Sequence, residues 1–149
     1  MHADLIPIPI EPRVLIVEDE TLIAEELRER LSLLGFSVIA AVDSAEEGIV
    51  IATRERPDLV LMDIRLKGEK DGVQAAKEIR QQVDVPIVYL TAYSDRLTVD
   101  RAKGTEHDGF ILKPFLRREL QSTIEIAMHR HTIRAKQEII EPAPRRTAN

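Results

Sequence analysis

The sequence predicts a doubly wound α/β fold: a five-stranded parallel sheet with helices on both faces. Two observations predict it. Short apolar runs of strand length alternate with amphipathic stretches of helix length, five times over. The apolar runs are also continuous rather than alternating, as strands covered on both faces must be.

Each element has its own signal. Pro7, Pro9 and Pro12 make residues 1–12 an extended arm rather than a helix or a central strand. Arg13-Val14-Leu15-Ile16-Val17 reads as the first strand. Residues 20–34 read as a helix with Ile23, Leu27, Leu31 and Leu34 on one stripe, and Gly35 at its C-terminal stop. Phe36 to Val42 is the second strand. Asp43 or Ser44 caps a helix running to about Arg54, with Ala45, Ile49 and Ala52 facing inward. Leu59-Val60-Leu61-Met62 is an unbroken apolar run that ends on Asp63 and then opens into a charged, glycine-punctuated loop. A helix near 72–82 follows, carrying Val73, Ala76, Ile79 and Val83 inward, and then a fourth strand, Pro86 to Thr91. A shorter helix around 95–103 leads into the fifth strand, Gly109 to Leu112. The last helix starts near Phe115, with Leu116, Leu120, Ile124 and Ala127 inward. Beyond about residue 130 it extends past what docking on a sheet requires, and EPAPRRTAN breaks it into a tail expected to be disordered. The expected organisation is therefore an arm (1–12), one α/β domain (13–130) and a helical extension with its tail (131–149).

Composition narrows the chemistry. The chain has 149 residues, enough for one domain with a sizeable core. Residues 1–112 hold 13 basic and 22 acidic side chains, whereas residues 113–149 hold 8 and 4. An acidic body argues against direct nucleic-acid binding, and a basic tail alone is weak evidence for it. The absence of cysteine excludes disulfides, thiolate metal sites and cysteine nucleophiles. No signal-peptide pattern and no run of membrane-spanning length is present, so a soluble cytoplasmic location is the expectation.

In open α/β sheets, ligands collect at the carboxyl ends of the strands. Here those ends carry Glu18-Asp19-Glu20, Asp63, Thr91 and Lys113. Two acids about 5 Å apart repel by about 3 kcal/mol at an effective dielectric near 20, so a cluster of acids asks for a cation. Oxygen ligands without His or Cys favour Mg²⁺, which keeps several waters and binds phosphate oxygens as well. Lys113 and Thr91 supply an ammonium and a hydroxyl for further phosphoryl oxygens. Acid nucleophile, divalent ion, lysine and hydroxyl together make a phosphoryl-transfer set.

The motifs VLIVEDE, LVLMD, VYLTA and GFILKPF, in that order over residues 13–128, resemble the receiver domains of two-component response regulators. The resemblance implies the flavodoxin-like strand order 2-1-3-4-5. It makes Asp63 the phosphoacceptor, charged by a sensor histidine kinase or a phosphotransfer protein. Glu18 and Asp19 resemble the acid pair that holds Mg²⁺ with Asp63, and the backbone carbonyl of Arg65 would complete the protein ligands. Thr91 looks like the hydroxyl that closes on the phosphoryl group, Lys113 like the family's lysine, and Phe110 like its switch aromatic. The bond before Pro114 is usually cis in that family. Arg65 and Tyr93 occupy two positions that influence phosphoryl lifetime; both are bulky and are expected to hinder the attacking water. Homodimerisation through the last two helices and strand five is common in the family. Such a domain is a signalling phosphoacceptor, not an enzyme acting on a separate substrate. The sequence departs from the family at Lys67, where a proline is usual, in a loop to Gly72 one residue longer, and in a longer Gly104–Gly109 segment.

Other readings of single residues stand beside these. Asp63 alone could cap a helix, Glu18-Asp19-Glu20 could serve a helix N-terminus, Lys113-Pro114 could be an ordinary helix entry, and Thr91 could cap a turn. Four such coincidences at four strand ends argue against solvation alone; Phe110 stands apart, since plain core packing explains it equally well. His129 and His131, two apart on different sides of a helix, are no metal pair, and His2 and His107 are expected to be exposed. Ile126, Ile133 and Ile140 repeat every seven residues, a coiled-coil hint weakened by His129 and Lys136 at the paired positions. The alternative is a solvated extension. Among competing functions, a Mg²⁺-dependent aspartyl phosphatase of the haloacid-dehalogenase type wants a second acid where Arg65 stands. A nucleotide or flavin binder wants a phosphate loop where VEDE is anionic. A partner-binding module that is never phosphorylated would not need the full set of acids, hydroxyl and lysine. The chain could be a stand-alone receiver or one excised from a hybrid histidine kinase.

Overall fold

The computed structural model describes residues 10–92, 96–103 and 107–140. Five strands, β1 (Arg13–Val17), β2 (Ser37–Val42), β3 (Leu59–Asp63), β4 (Ile87–Ala92) and β5 (Gly109–Lys113), alternate with five helices. The helices are α1 (Thr21–Leu33), α2 (Ala45–Glu55), α3 (Gly72–Gln82), α4 (Arg96–Lys103) and α5 (Arg117–Ile140). All neighbouring strands pair in parallel, in the order β2-β1-β3-β4-β5. Both the element order and the strand order are those expected from the sequence.

Because side chains alternate across a strand, each central strand feeds two cores. Leu15, Val17, Val60, Met62, Ile87 and Tyr89 pack with α2, α3 and Ala102 of α4. Val14, Ile16, Leu59, Leu61, Val88 and Leu90 pack instead with Leu27 and Leu31 of α1 and with Leu120, Ile124 and Ala127 of α5. This two-sided burial accounts for the unbroken apolar runs. No described helix is long and apolar enough to cross a membrane.

The helix ends follow local chemistry. Ser44 Oγ accepts the Glu47 amide at 3.2 Å to start α2. Asp71 and Gln74 form a reciprocal capping box at the start of α3. After α1, Gly35 takes φ +94°, a conformation that favours glycine. The Lys113–Pro114 bond is cis.

Three sequence expectations need correction. Leu116 is 65% exposed, not inward. It precedes the first helical residue, so helical periodicity does not set its direction, and Phe115 fills the core instead. His107 is half-buried rather than exposed, with its ring centroid 4.6 Å from that of Phe110. The helix beyond residue 130 is not simply solvated. His131 Nε2 lies 2.9 Å from Asp84 Oδ1, and Arg134 bonds to buried Asp108. Asp108 also accepts from Arg80 Nη2 at 2.6 Å and from the Ile87 amide at 2.8 Å. A single carboxylate thus joins α3, β4 and α5. The arm up to residue 9, with Pro7, Pro9 and His2, and the tail from residue 141 lie outside the described residues.

Candidate functional site

Two strand ends bring the acids together. Glu18 follows β1, Asp63 ends β3, and Asp19 sits beside them; carboxylate oxygens of all three lie within 4.8 Å of one another. Glu18 and Asp63 are almost fully buried, at 2% and 4% exposure. Lys113, at the end of β5, places Nζ 2.7 Å from Glu18 Oε1, 3.2 Å from Asp63 Oδ2 and 3.9 Å from Glu20 Oε1.

Backbone amides aim the carboxylates. The Arg65 amide donates to Asp63 Oδ1 at 3.0 Å, and the Lys67 amide donates to Asp19 Oδ2 at 3.0 Å. Glu18 Oε2 accepts the Glu20 amide at 3.0 Å, so the side chain that serves the pocket also serves the start of α1. The loop departing from the family pattern at Lys67 therefore uses its amide to hold Asp19. Proline could not do this, because it has no N–H.

The pocket is short of positive charge. Burial, reinforced by the neighbouring Asp63 carboxyl, pushes the Glu18 carboxyl up to about 7, even though Lys113 pulls the other way. For Lys113, burial works to lower the ammonium, but contact with Glu18 and the charge of Asp63 outweigh it and the net shift is upward. Glu18 Oε1 is buried, and its one close polar neighbour among the described residues is the Lys113 ammonium, an ion pair at 2.7 Å. One ammonium does not satisfy three clustered acids. An all-oxygen set of three clustered acids facing one ammonium suits a hard divalent cation such as Mg²⁺.

The other predicted residues fall as follows. Thr91 is 3% exposed, one residue beyond Leu90, the strand partner of Asp63. Its hydroxyl donates to its own strand, to the Ala92 carbonyl at 3.3 Å. Phe110 is half-buried, between His107 and Tyr89, with ring centroids at 4.6 Å and 5.7 Å. Arg65 lies at the exposed mouth. Tyr93 lies outside the described residues.

The mouth is an open hollow of about 590 Å³ lined by Asp19, Glu20, Arg65, Lys67, Asp71 and Arg101 among others. A larger, more apolar groove of about 660 Å³ lies beside Ile10, Leu34, Phe36 and Ile126, and none of the clustered acids lines it. The chemistry belongs to the smaller one. Sequence reasoning missed Asp71 and Arg101 at the mouth. Asp71 was detectable, since an Asp followed three residues later by Gln just before an apolar helix is a capping-box signal. Arg101, thirty residues away, gives no local signal.

Comparison with known proteins bears on the family and the fold. A family model of the response regulator receiver domain matches residues 14–125. The transcriptional regulatory protein PdtaR of Mycobacterium tuberculosis is 39% identical over 118 residues, covering 79% of this chain and 57% of that protein. The probable transcriptional regulator ycf27 of Porphyridium aerugineum is 40% identical over 120 residues, covering 79% and 48% respectively. The chain thus spans about half the length of the curated relatives it matches. Among solved structures, the signal receiver domain of a modulated diguanylate cyclase from Desulfovibrio desulfuricans G20 superposes with a TM-score of 0.78 at 38% identity. That match covers 83% of this chain and 98% of the other. The N-terminal domain of a response regulator/sensory box/GGDEF protein from Carboxydothermus hydrogenoformans gives 0.73 at 30% identity, with the same coverages of 83% and 98%.

Proposed function

The chain belongs to the response regulator receiver domain family, and from that premise we propose that Asp63 is its phosphoacceptor. Proteins of this family signal by interaction with histidine kinases and downstream effectors, and they generally act as signalling modules rather than enzymes. The observation that carries the assignment is the under-neutralised acid cluster around Asp63, closed on one side by a single ammonium.

Each residue then has a part. Strand β3 anchors Asp63 in the core and sets its carboxylate beside those of Glu18 and Asp19. The amide of Arg65 fixes one oxygen, leaving the carboxylate oriented for in-line attack on the phosphohistidine of a kinase or phosphotransfer protein. The new O–P bond forms as the donor's N–P bond breaks. Glu18, Asp19, Asp63 and the Arg65 carbonyl would hold Mg²⁺, which supplies charge stabilisation to the phosphoryl oxygens when bound. Lys113 pairs with the charge that develops on the acceptor, and the Thr91 hydroxyl, held among the described residues by a long bond within its own strand, turns to a phosphoryl oxygen. Its departure leaves room for Phe110 to reorient, and the altered face of α4, β5 and α5 is what a partner or a second copy reads. Exposed Leu112 and Leu116 on that face favour a protein contact there, including a homodimer. Arg65 and Tyr93 hinder the hydrolytic water and lengthen the lifetime of the phosphoryl group.

Incubation with acetyl phosphate and Mg²⁺ tests the assignment. Intact mass should show one labile phosphoryl adduct, absent in Asp63→Asn and without Mg²⁺, and size-exclusion of the beryllofluoride form should report any dimer. An adduct that persists in Asp63→Asn refutes the assignment. Arg65→Ala and Tyr93→Ala should shorten the adduct's lifetime; unchanged decay in both removes their role.

A further inference from the structure

Of the described side chains of helix α4 only Ala102 is buried, while Asp100, Arg101 and Lys103 are exposed. Arg101 nevertheless makes a short ion pair with Asp71. Asp71 is the N-cap of α3: its Oδ1 accepts the Gln74 amide at 3.0 Å, while its Oδ2 faces the guanidinium. The next residue, Gly72, is pressed against the acceptor's own backbone. A Cβ at that position would lie 2.0 Å from the Asp63 carbonyl oxygen and 2.9 Å from Ile64 Cα. The Gly72 amide also donates to the Ile64 carbonyl at 2.9 Å. An unbroken chain of close contacts thus runs from α4 through Arg101, Asp71 and Gly72 to Asp63.

We propose that Arg101 is a positioning residue: through Asp71 and Gly72 it fixes the backbone of Asp63, Ile64 and Arg65, so that the seating of α4 and the cation affinity of the acid pocket are one coupled equilibrium. The inference rests on the Mg²⁺-binding reading of the pocket given above. Its physical content is linkage: if seating α4 helps the ion bind, the ion must seat α4 by the same factor. The pair is partly exposed, so its effect is small; exposed ion pairs of this kind translate into about two- to fivefold in a binding constant. Burial works to raise the Asp71 carboxyl, yet the Arg101 bond and the Gln74 amide hold it below the usual carboxylate range, in keeping with an intact pair.

Calorimetric Mg²⁺ titration of the full chain, with amide exchange of α4, tests the proposal. Arg101→Ala should weaken Mg²⁺ binding about two- to fivefold. Asp71→Asn, which keeps the cap oxygen but loses the charge, should do the same. The double variant should be no worse than either, and Arg101→Lys should recover part of the loss. In the wild-type chain Mg²⁺ should slow α4 exchange, and in Arg101→Ala it should not. Lys70→Ala, which removes the neighbouring 2.7 Å pair with Glu78, is the control expected to change nothing. Wild-type affinity in Arg101→Ala and Asp71→Asn overturns the coupling while leaving the pocket reading intact. Tighter binding in Arg101→Ala also overturns it, since that marks Arg101 as a repelling charge at the rim. No Mg²⁺ binding by the wild-type chain overturns the pocket reading and this inference with it.

Discussion

Glu18→Gln is the substitution whose outcome the pocket electrostatics decide most sharply. In the folded chain the Glu18 carboxyl titrates at about 7 against an ordinary value of 4.5, because burial and Asp63 oppose its charge. The folded state therefore holds a proton that the unfolded chain has already released, and stability falls as pH rises between those two values. The penalty is small below 4.5 and complete above about 7. At 1.36 kcal/mol per pKa unit the cost is about 1 kcal/mol near pH ~5 and about 3 kcal/mol near pH ~8. Lys113 is already included in that balance. Glutamine carries no such charge, so the variant should gain on the wild type by about 2 kcal/mol between the two conditions. Urea unfolding in chelator at both pH values measures this, and the comparison cancels every group the two chains share. Adding Mg²⁺ should reverse the order, because the wild type gains binding energy that the variant lacks. A stability difference that does not change with pH, or a variant that loses ground as pH rises, refutes the claim that this pocket is under-neutralised.

Three further outcomes follow from other contacts. Gly72→Ala drives a methyl into the Asp63 carbonyl and should cost about 2–3 kcal/mol in chemical denaturation, with slower phosphoryl uptake by the surviving folded fraction. Asp108→Ala leaves the Arg80 guanidinium without its buried partner and should cost about 3 kcal/mol, with faster amide exchange in the α5 turns around Arg134. For His107, burial lowers the imidazole below its usual 6.5, with Arg80 and Lys103 adding to it and Asp108 opposing. Its contribution to stability is present above 6.5 and lost as pH falls through the lowered value, so His107→Phe should flatten the acid side of a melting-temperature profile.

The strands were legible because burial on both faces leaves a plain mark, an apolar run with no polar interruption. The acids, the hydroxyl and the lysine were legible because a parallel sheet sends every carboxyl end to one edge. What the residues did not disclose depends on facing across elements. Leu116 keeps helical spacing with Leu120 yet stands outside the helix, so spacing said nothing about its direction. His107 sits in a polar run and looks exposed, but the ring of Phe110 covers it. Asp108 reads as a loop acid; its guanidinium partners are 28 and 26 residues away, and only the packing of α3 and α5 on the sheet selects them. Arg101 escaped notice for the same reason.

The strand order has an implication for how such a molecule comes into being. The pocket draws on β1 and β5, the first and last strands in the chain, and on β3, which lies between β1 and β4 in the sheet. A nascent polypeptide that has not yet delivered its final strand holds Glu18 and Asp63 without the ammonium that restrains their repulsion. The acid pair and the charge that restrains it thus meet only when the far edge of the sheet closes.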